Sequence, residues 1–408
     1  MNSAKTTYAV APVAAMLAGM LSVSAVQAQP GEIPDADAWR ERATRMSRAA
    51  DERGLAESFR GITSDGEIVE DLFPLESTGV PTDDIRVAAE RFLASLTQEQ
   101  LGRIQFAIDD DEWRKWMNPH FYVRQGISFG EFSDTQTDAA LGMLQASLSA
   151  KGLQLTRDIM RLNTTLAELN GNNFVEYGED KYSITVMGTP SPSEPWGWQL
   201  EGHHLAINYF VRGDQVVMAP AFWGSEPAVA ETGRHAGTAI LVQEQAAGLE
   251  FVRTLNAVQR AQAVLNDEKP SNEIVAQAFS DNVVVPYVGM RVEELDAQQQ
   301  RQLMGLIRLW IYNLDDDHAA VQMEQIEAHL DETRFAWVGG TDDDSVFYYR
   351  IHSPVILIEF DHQTPVGLRH LYPAGQPYKE HIHAVVRIPN GNDYGKDLLR
   401  RHLLAVAH

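Results

Sequence analysis

The chain contains no cysteine among its 408 residues. That excludes disulfides, thiolate metal ligands, a catalytic thiol and a cysteine-linked lipid anchor. Stability must come from a packed core, and a chain of this length can build one or two. Long apolar runs are also missing once the N-terminus is passed, so no later segment has the length of a membrane span. Basic charge is scarce. With 33 Lys and Arg against 57 Asp and Glu, the formal net charge of −24 repels nucleic acid and anionic lipid. No Gly-rich phosphate loop precedes a helix, and neither a dinucleotide fingerprint nor His-Glu-x-x-His occurs. The charge is compatible with cations, neutral sugars, peptides or small organics. A small-molecule substrate or ligand is the expected partner, and nothing in the pattern fixes an oligomeric state.

The first residues have the pattern of an export signal. Lys5 precedes an apolar run from Tyr8 to Leu21, and Val26-Gln-Ala28 offers small residues for cleavage before Gln29. Residues 1–28 are therefore expected to be a signal peptide. The mature protein is expected to be periplasmic or secreted, with no membrane insertion after cleavage.

From Asp37 to Leu169 the periodicity is mainly helical, with Asp37–Arg53 ending at Gly54, a capped start at Thr97 and an amphipathic stretch from Leu153. Strands follow, Tyr182–Met187, Trp196–Val211 and Gln215–Phe222, with a hairpin turn at Arg212-Gly-Asp214. A second helical region from Gly237 to Leu330 leads to a second strand set, Arg334–Val338, Val346–Ile351, Val355–Asp361 and His381–Ile388. This order predicts an α+β fold of helical segments followed by antiparallel strands, one compact unit over residues 29–408. It also suggests a duplication with halves at about 84–225 and 280–395. Leu96-Thr-Gln-Glu-Gln-Leu101 is similar to Leu295-Asp-Ala-Gln-Gln-Gln300, and the alignment would make Glu201 and Glu359 equivalent.

Histidines stand out by placement. One segment reads Glu201-Gly-His203-His204 and another Glu380-His381-Ile-His383, followed by Arg387. Strand alternation puts His381, His383 and Arg387 on one face and Ile382, Ala384 and Val386 on the other. Without thiols, a metal site here needs imidazole and carboxylate donors, which suit a divalent Zn, Cu, Fe or Mn ion. His203, His204, His381 and His383 are the candidate metal ligands, with Glu201, Glu359 or Asp361 as a carboxylate. His203 and His204 face opposite ways on a strand, so one of the two is expected to point inward. Glu359, Arg387 and Asp393 are candidate catalytic residues, Arg387 as an anchor for substrate charge. Asn392 and Asp393, in a turn-rich segment, could border the site as partners of the imidazoles. Trp196 and Trp198 form either a stacking platform for a ring or part of the core.

Taken together, Tyr182-Ser-Ile-Thr-Val-Met-Gly188, Trp196-Gly-Trp198, Glu201-Gly-His-His204, Asn208, Gly224, Pro227, Tyr349-Arg350-Ile, Ile358-Glu-Phe360, His381-Ile-His383, Arg387 and Asn392-Asp-Tyr-Gly395 resemble a family of exported bacterial and fungal proteins known only as a domain of unknown function. The family pattern has Asn before His-x-His, where this chain has Glu380. The resemblance implies that the His-His and His-x-His blocks travel together, as two halves of one site would. Asn208 and Arg350, with Trp196 and Trp198, are candidate substrate contacts. It implies no activity. The expected function is an exported metal-dependent enzyme, a hydrolase or oxidoreductase with a His/carboxylate site. The alternatives are a metal- or small-ligand-binding protein without catalysis, and a metal-free His/carboxylate enzyme.

Overall fold

Four residues of the Ser/Thr/Asn/Asp type, Thr97, Ser133, Asn256 and Asp296, each have a Gln three positions on that reaches back to the cap backbone. These reciprocal caps satisfy amides that a helix start leaves bare. They begin helices α3 (Gln98–Ile104), α4 (Asp134–Ser147), α7 (Ala257–Ala263) and α8 (Ala297–Ile311). The capping glutamines also pair with one another, Gln100 with Gln136 at 2.8 Å and Gln259 with Gln299 at 2.9 Å. The same device therefore occurs twice.

The structure is a computed structural model and describes residues 33–406. The signal-peptide expectation for residues 1–28 lies outside the described residues. The remaining helices are α1 (Ala36–Gly54), α2 (Asp83–Ala94), α5 (Ala150–Leu169), α6 (Val242–Thr254), α9 (Asp316–Ala328) and α10 (Lys396–Val406). Strands are β1 (Gln105–Phe106), β2 (Ile127–Ser128), β3 (Ser183–Met187), β4 (Trp196–Gly202), β5 (Leu205–Arg212) and β6 (Gln215–Ser225) in the first half. The second half adds β7 (Val264–Asn266), β8 (Met290–Arg291), β9 (Arg334–Gly339), β10 (Phe347–His352), β11 (Leu357–His362) and β12 (Ile382–Arg387). No described helix is long and apolar enough to cross a membrane.

All strands join one mostly antiparallel sheet in the order β1-β3-β4-β5-β6-β12-β11-β10-β9-β7, with β2 on β3 and β8 on β9. The α+β architecture is thus present in one compact unit. Helices α2 to α5 with β1 to β6 recur as α6 to α9 with β7 to β12, and the order reads the same outward from the β6/β12 seam. The recurring units run from Asp83 to Ser225 and from Val242 to Arg387, so the second begins well before position 280. The short sequence likeness joins unlike elements, because Thr97 caps α3 whereas Asp296 caps α8, the counterpart of α4. Strand register makes His352 the counterpart of Glu201 and Asn208 that of Glu359.

The two faces of the sheet are covered differently. On one, Trp198 of β4 donates to Ser147 of α4 and Trp310 of α8 donates to Tyr349 of β10. On the other lie two long connections, residues 107–126 and 267–289. Gln199 donates to the Trp113 carbonyl, and Arg387 donates to the Ala276 carbonyl. His381 and His383 project toward this loop-covered face, as Arg387 does.

Candidate metal centre

The stretch Trp196–Val211 is two strands, broken by a turn at His203-His204. His204 has φ of +62°, a left-handed conformation uncommon for residues other than Gly. Its amide donates to the Asn118 carbonyl and its carbonyl accepts from Gly224, both at 2.9 Å. The Tyr182 hydroxyl donates to the His203 carbonyl at 2.8 Å. Gly202 is needed beside it, since a Cβ there would come within 2.1 Å of the Tyr182 ring. The turn is fixed from three directions, and that fixes which histidine faces inward. His204 points to the β12 histidines, while His203 stacks behind it with ring centroids 4.0 Å apart and its Nδ1 2.9 Å from Asn163.

His204, His381 and His383 converge. Their three Nε2 atoms form a triangle with every edge 3.1 Å. That spacing is compatible with three imidazoles sharing one ion at about 2.0–2.1 Å, the usual zinc–nitrogen distance. All three rings are buried, at 5%, 2% and 6% exposure. Burial shifts all three toward the neutral form, strongly for His204 and His383, where mutual repulsion adds to it, and less for His381, where Glu226 opposes it. Neutral imidazole is the form that ligates a metal.

Hydrogen bonds at the far nitrogens orient the ring lone pairs. His381 Nδ1 donates to the Thr364 carbonyl at 2.7 Å, which leaves its Nε2 bare. His383 Nδ1 donates to Gln277 Oε1 at 3.2 Å with the same consequence. Bare acceptor nitrogens 3.1 Å apart repel unless a cation lies between them. The three-histidine cluster can therefore hold a metal ion. Opposite His383 in the sheet stands Gly224, where a Cβ would meet the Ile382 carbonyl at 2.3 Å and the His383 ring at 3.4 Å.

The acids and the arginine expected around the histidines have other partners. Glu359 accepts from the amides of Val275 and Ala276 and from the Tyr348 hydroxyl, with Arg350 at 3.4 Å. Arg350 is thereby spent on Glu359 and Tyr348. Asp361 accepts from the amides of Glu273 and Ile274 and faces Lys269 at 2.8 Å. Arg387, fully buried, donates to Asp393, to Asp281 and to the Ala276 carbonyl. Asp393 also accepts from the Ile388 amide, and Asn392 from the Leu398 amide, so the turn caps β12 and starts α10. Trp196 and Trp198 are fully buried, and Trp198 stacks on Tyr209 at 5.0 Å; both belong to the core and offer no platform. Asn208, also fully buried, joins Gln199 to the Pro220 carbonyl. For Glu359, Asp361 and Arg387, sharing the loop-covered face with the histidines did not place them among the ligands.

Sequence reasoning missed Glu226, Thr364 and Gln277. Glu226 lies 3.8 Å from His381 Nδ1 and is held by three amides, Val366 to Leu368, and by the Tyr378 hydroxyl. Glu380, the departure from the family pattern, accepts from the Val229 amide at 3.0 Å.

Fold and site together define an α+β protein with a buried three-imidazole cluster between two structurally similar halves. The chain belongs to the family described as a protein of unknown function (DUF3500), whose profile matches residues 78–396. No curated protein and no solved structure matches it.

Proposed function

We propose that the protein is an exported metal-dependent enzyme that acts on a small substrate, as a hydrolase or an oxidoreductase, at an ion held by His204, His381 and His383. The observation that carries this reading is the 3.1 Å triangle of Nε2 atoms, with two of its rings locked from behind. Three neutral donors leave the full charge on a divalent ion and at least one coordination position open. With Zn, such a set lowers the pKa of a coordinated water to about 7, which supplies a nucleophile at neutral pH. With Cu, Fe or Mn the same open position serves redox chemistry. The few per cent exposure of the rings restricts access to small molecules.

The test is an activity screen on protein stripped of metal and reconstituted in turn with Zn, Cu, Fe and Mn, using ester, amide, phosphoester and oxidase substrates. Turnover that returns with one ion and is absent in His381→Ala/His383→Ala supports the enzyme. Tight, stoichiometric binding with every coordination position filled and no turnover favours a metal-binding protein. Turnover that survives stripping contradicts the metal reading altogether.

A further inference from the structure

Four consecutive backbone amides, those of Glu273, Ile274, Val275 and Ala276, donate to two buried carboxylates of one strand. Asp361 takes the first two and Glu359 the second two. Both acids belong to β11 and lie two residues apart, so alternation puts them on the same loop-covered face. Lys269 balances Asp361, and Tyr348 with Arg350 brace Glu359. Burying carboxylates is costly unless each oxygen finds a donor. Here the compensation comes largely from one short segment of loop, which is thereby fixed against the sheet. The next residue after the grip is Gln277, whose Oε1 accepts from His383 Nδ1.

Resting on the metal-centre reading above, we propose that Gln277 is a positioning residue for the His383 ligand, and that Glu359 acts through it by setting the loop from which it reaches. Gln277 holds the proton on Nδ1 of His383, which leaves Nε2 bare and aimed at the ion. The carboxylates of β11 thus serve the centre at one remove, through the loop that carries this side chain. Partners of this kind are worth about 10–100-fold in metal affinity. Gln277 is partly exposed, so its truncation leaves the core intact.

The experiment measures Zn affinity by chelator competition, and the Co-substituted absorption spectrum, for wild type, Gln277→Ala, Gln277→Glu, Glu359→Gln and the Gln277→Ala/Glu359→Gln double variant. Gln277→Ala is expected to weaken Zn binding about 10–100-fold and alter the Co spectrum while metal-free thermal unfolding stays unchanged. Gln277→Glu, which keeps an acceptor in place, is expected to restore affinity. Glu359→Gln should weaken binding in the wild-type background and add little once Gln277 is gone, because the two act in series. Wild-type affinity in Gln277→Ala overturns the proposal while leaving the metal centre standing. An equal effect of Glu359→Gln in both backgrounds overturns the role of Glu359. If wild type takes up no metal, the centre and its positioning residue fall together.

Discussion

At the scale of single residues, His204 combines ligand geometry with backbone strain. A left-handed histidine costs of order 1 kcal/mol or more, and Gly carries no such penalty there. His204→Gly is therefore expected to lose the metal yet stay within about 1 kcal/mol of the metal-free wild type, because relieved strain offsets lost ring contacts. His383→Gly, in an extended strand, should cost about 1–2 kcal/mol more. Equilibrium urea unfolding of both variants without metal checks the ranking. Glu201 gives a pH-dependent counterpart. Burial pushes its carboxyl up to about 8 despite Arg124 at 3.5 Å, with Glu112 and Asp51 adding repulsion. The unfolded chain releases this proton in the ordinary carboxylate range and the folded chain only near pH 8. Between those values the folded state binds more protons, so stability falls as pH rises. Glu201→Gln should match wild type near pH 5 and exceed it near pH 9 in thermal unfolding followed across that range. The equal paired histidines at 203 and 204 showed that one of them would point inward, but the choice rested on a turn conformation that no local pattern encodes.

At the scale of elements, the His-x-His of β12 was legible because period-two alternation is intrinsic to a strand. The same alternation correctly put Glu359, Asp361 and Arg387 toward the site's face but could not say what covers it. The covering is done by residues 107–126 and 267–289, which pack on that face through contacts distant in sequence. Asp281 in the second connection illustrates their hold. It bonds Arg387 at 2.8 Å, Arg114 at 2.9 Å and the Tyr394 hydroxyl at 2.8 Å, all buried. This single carboxylate ties both loops to β12 and to the C-terminal turn. Replacing one member of a buried ion network strands its partners' charge. Asp281→Asn is expected to destabilise the protein by about 3–5 kcal/mol, read from the denaturant midpoint at unchanged slope. A loss under 1 kcal/mol means the loops are held elsewhere.

At the scale of the whole molecule, the halves meet at β6/β12, and the candidate ligands come from both sides of that seam. His204 belongs to the first half, and His381 and His383 to the second. The helix–strand alternation of the sequence was enough to give the α+β class, since two helical regions each precede a strand set. The internal correspondence was harder to read because it rests on four capping glutamines and on strand register, and a short loose likeness such as that between 96–101 and 295–300 aligns the wrong helices. Glu226 and Gln277 were invisible for a related reason. Each meets its histidine across more than 100 residues of chain, and neither sits in a pattern that marks a ligand's partner. A centre assembled across the seam makes one measurement decisive. Metal content by mass spectrometry is compared between untagged wild type, His204→Ala, and His381→Ala/His383→Ala, all expressed in the periplasm of a bacterial host. About one ion per chain in the wild type, lost in both variants, is the expected result. A wild type without metal after exposure to Zn, Cu, Fe and Mn, or one whose metal survives both variants, contradicts the three-histidine centre.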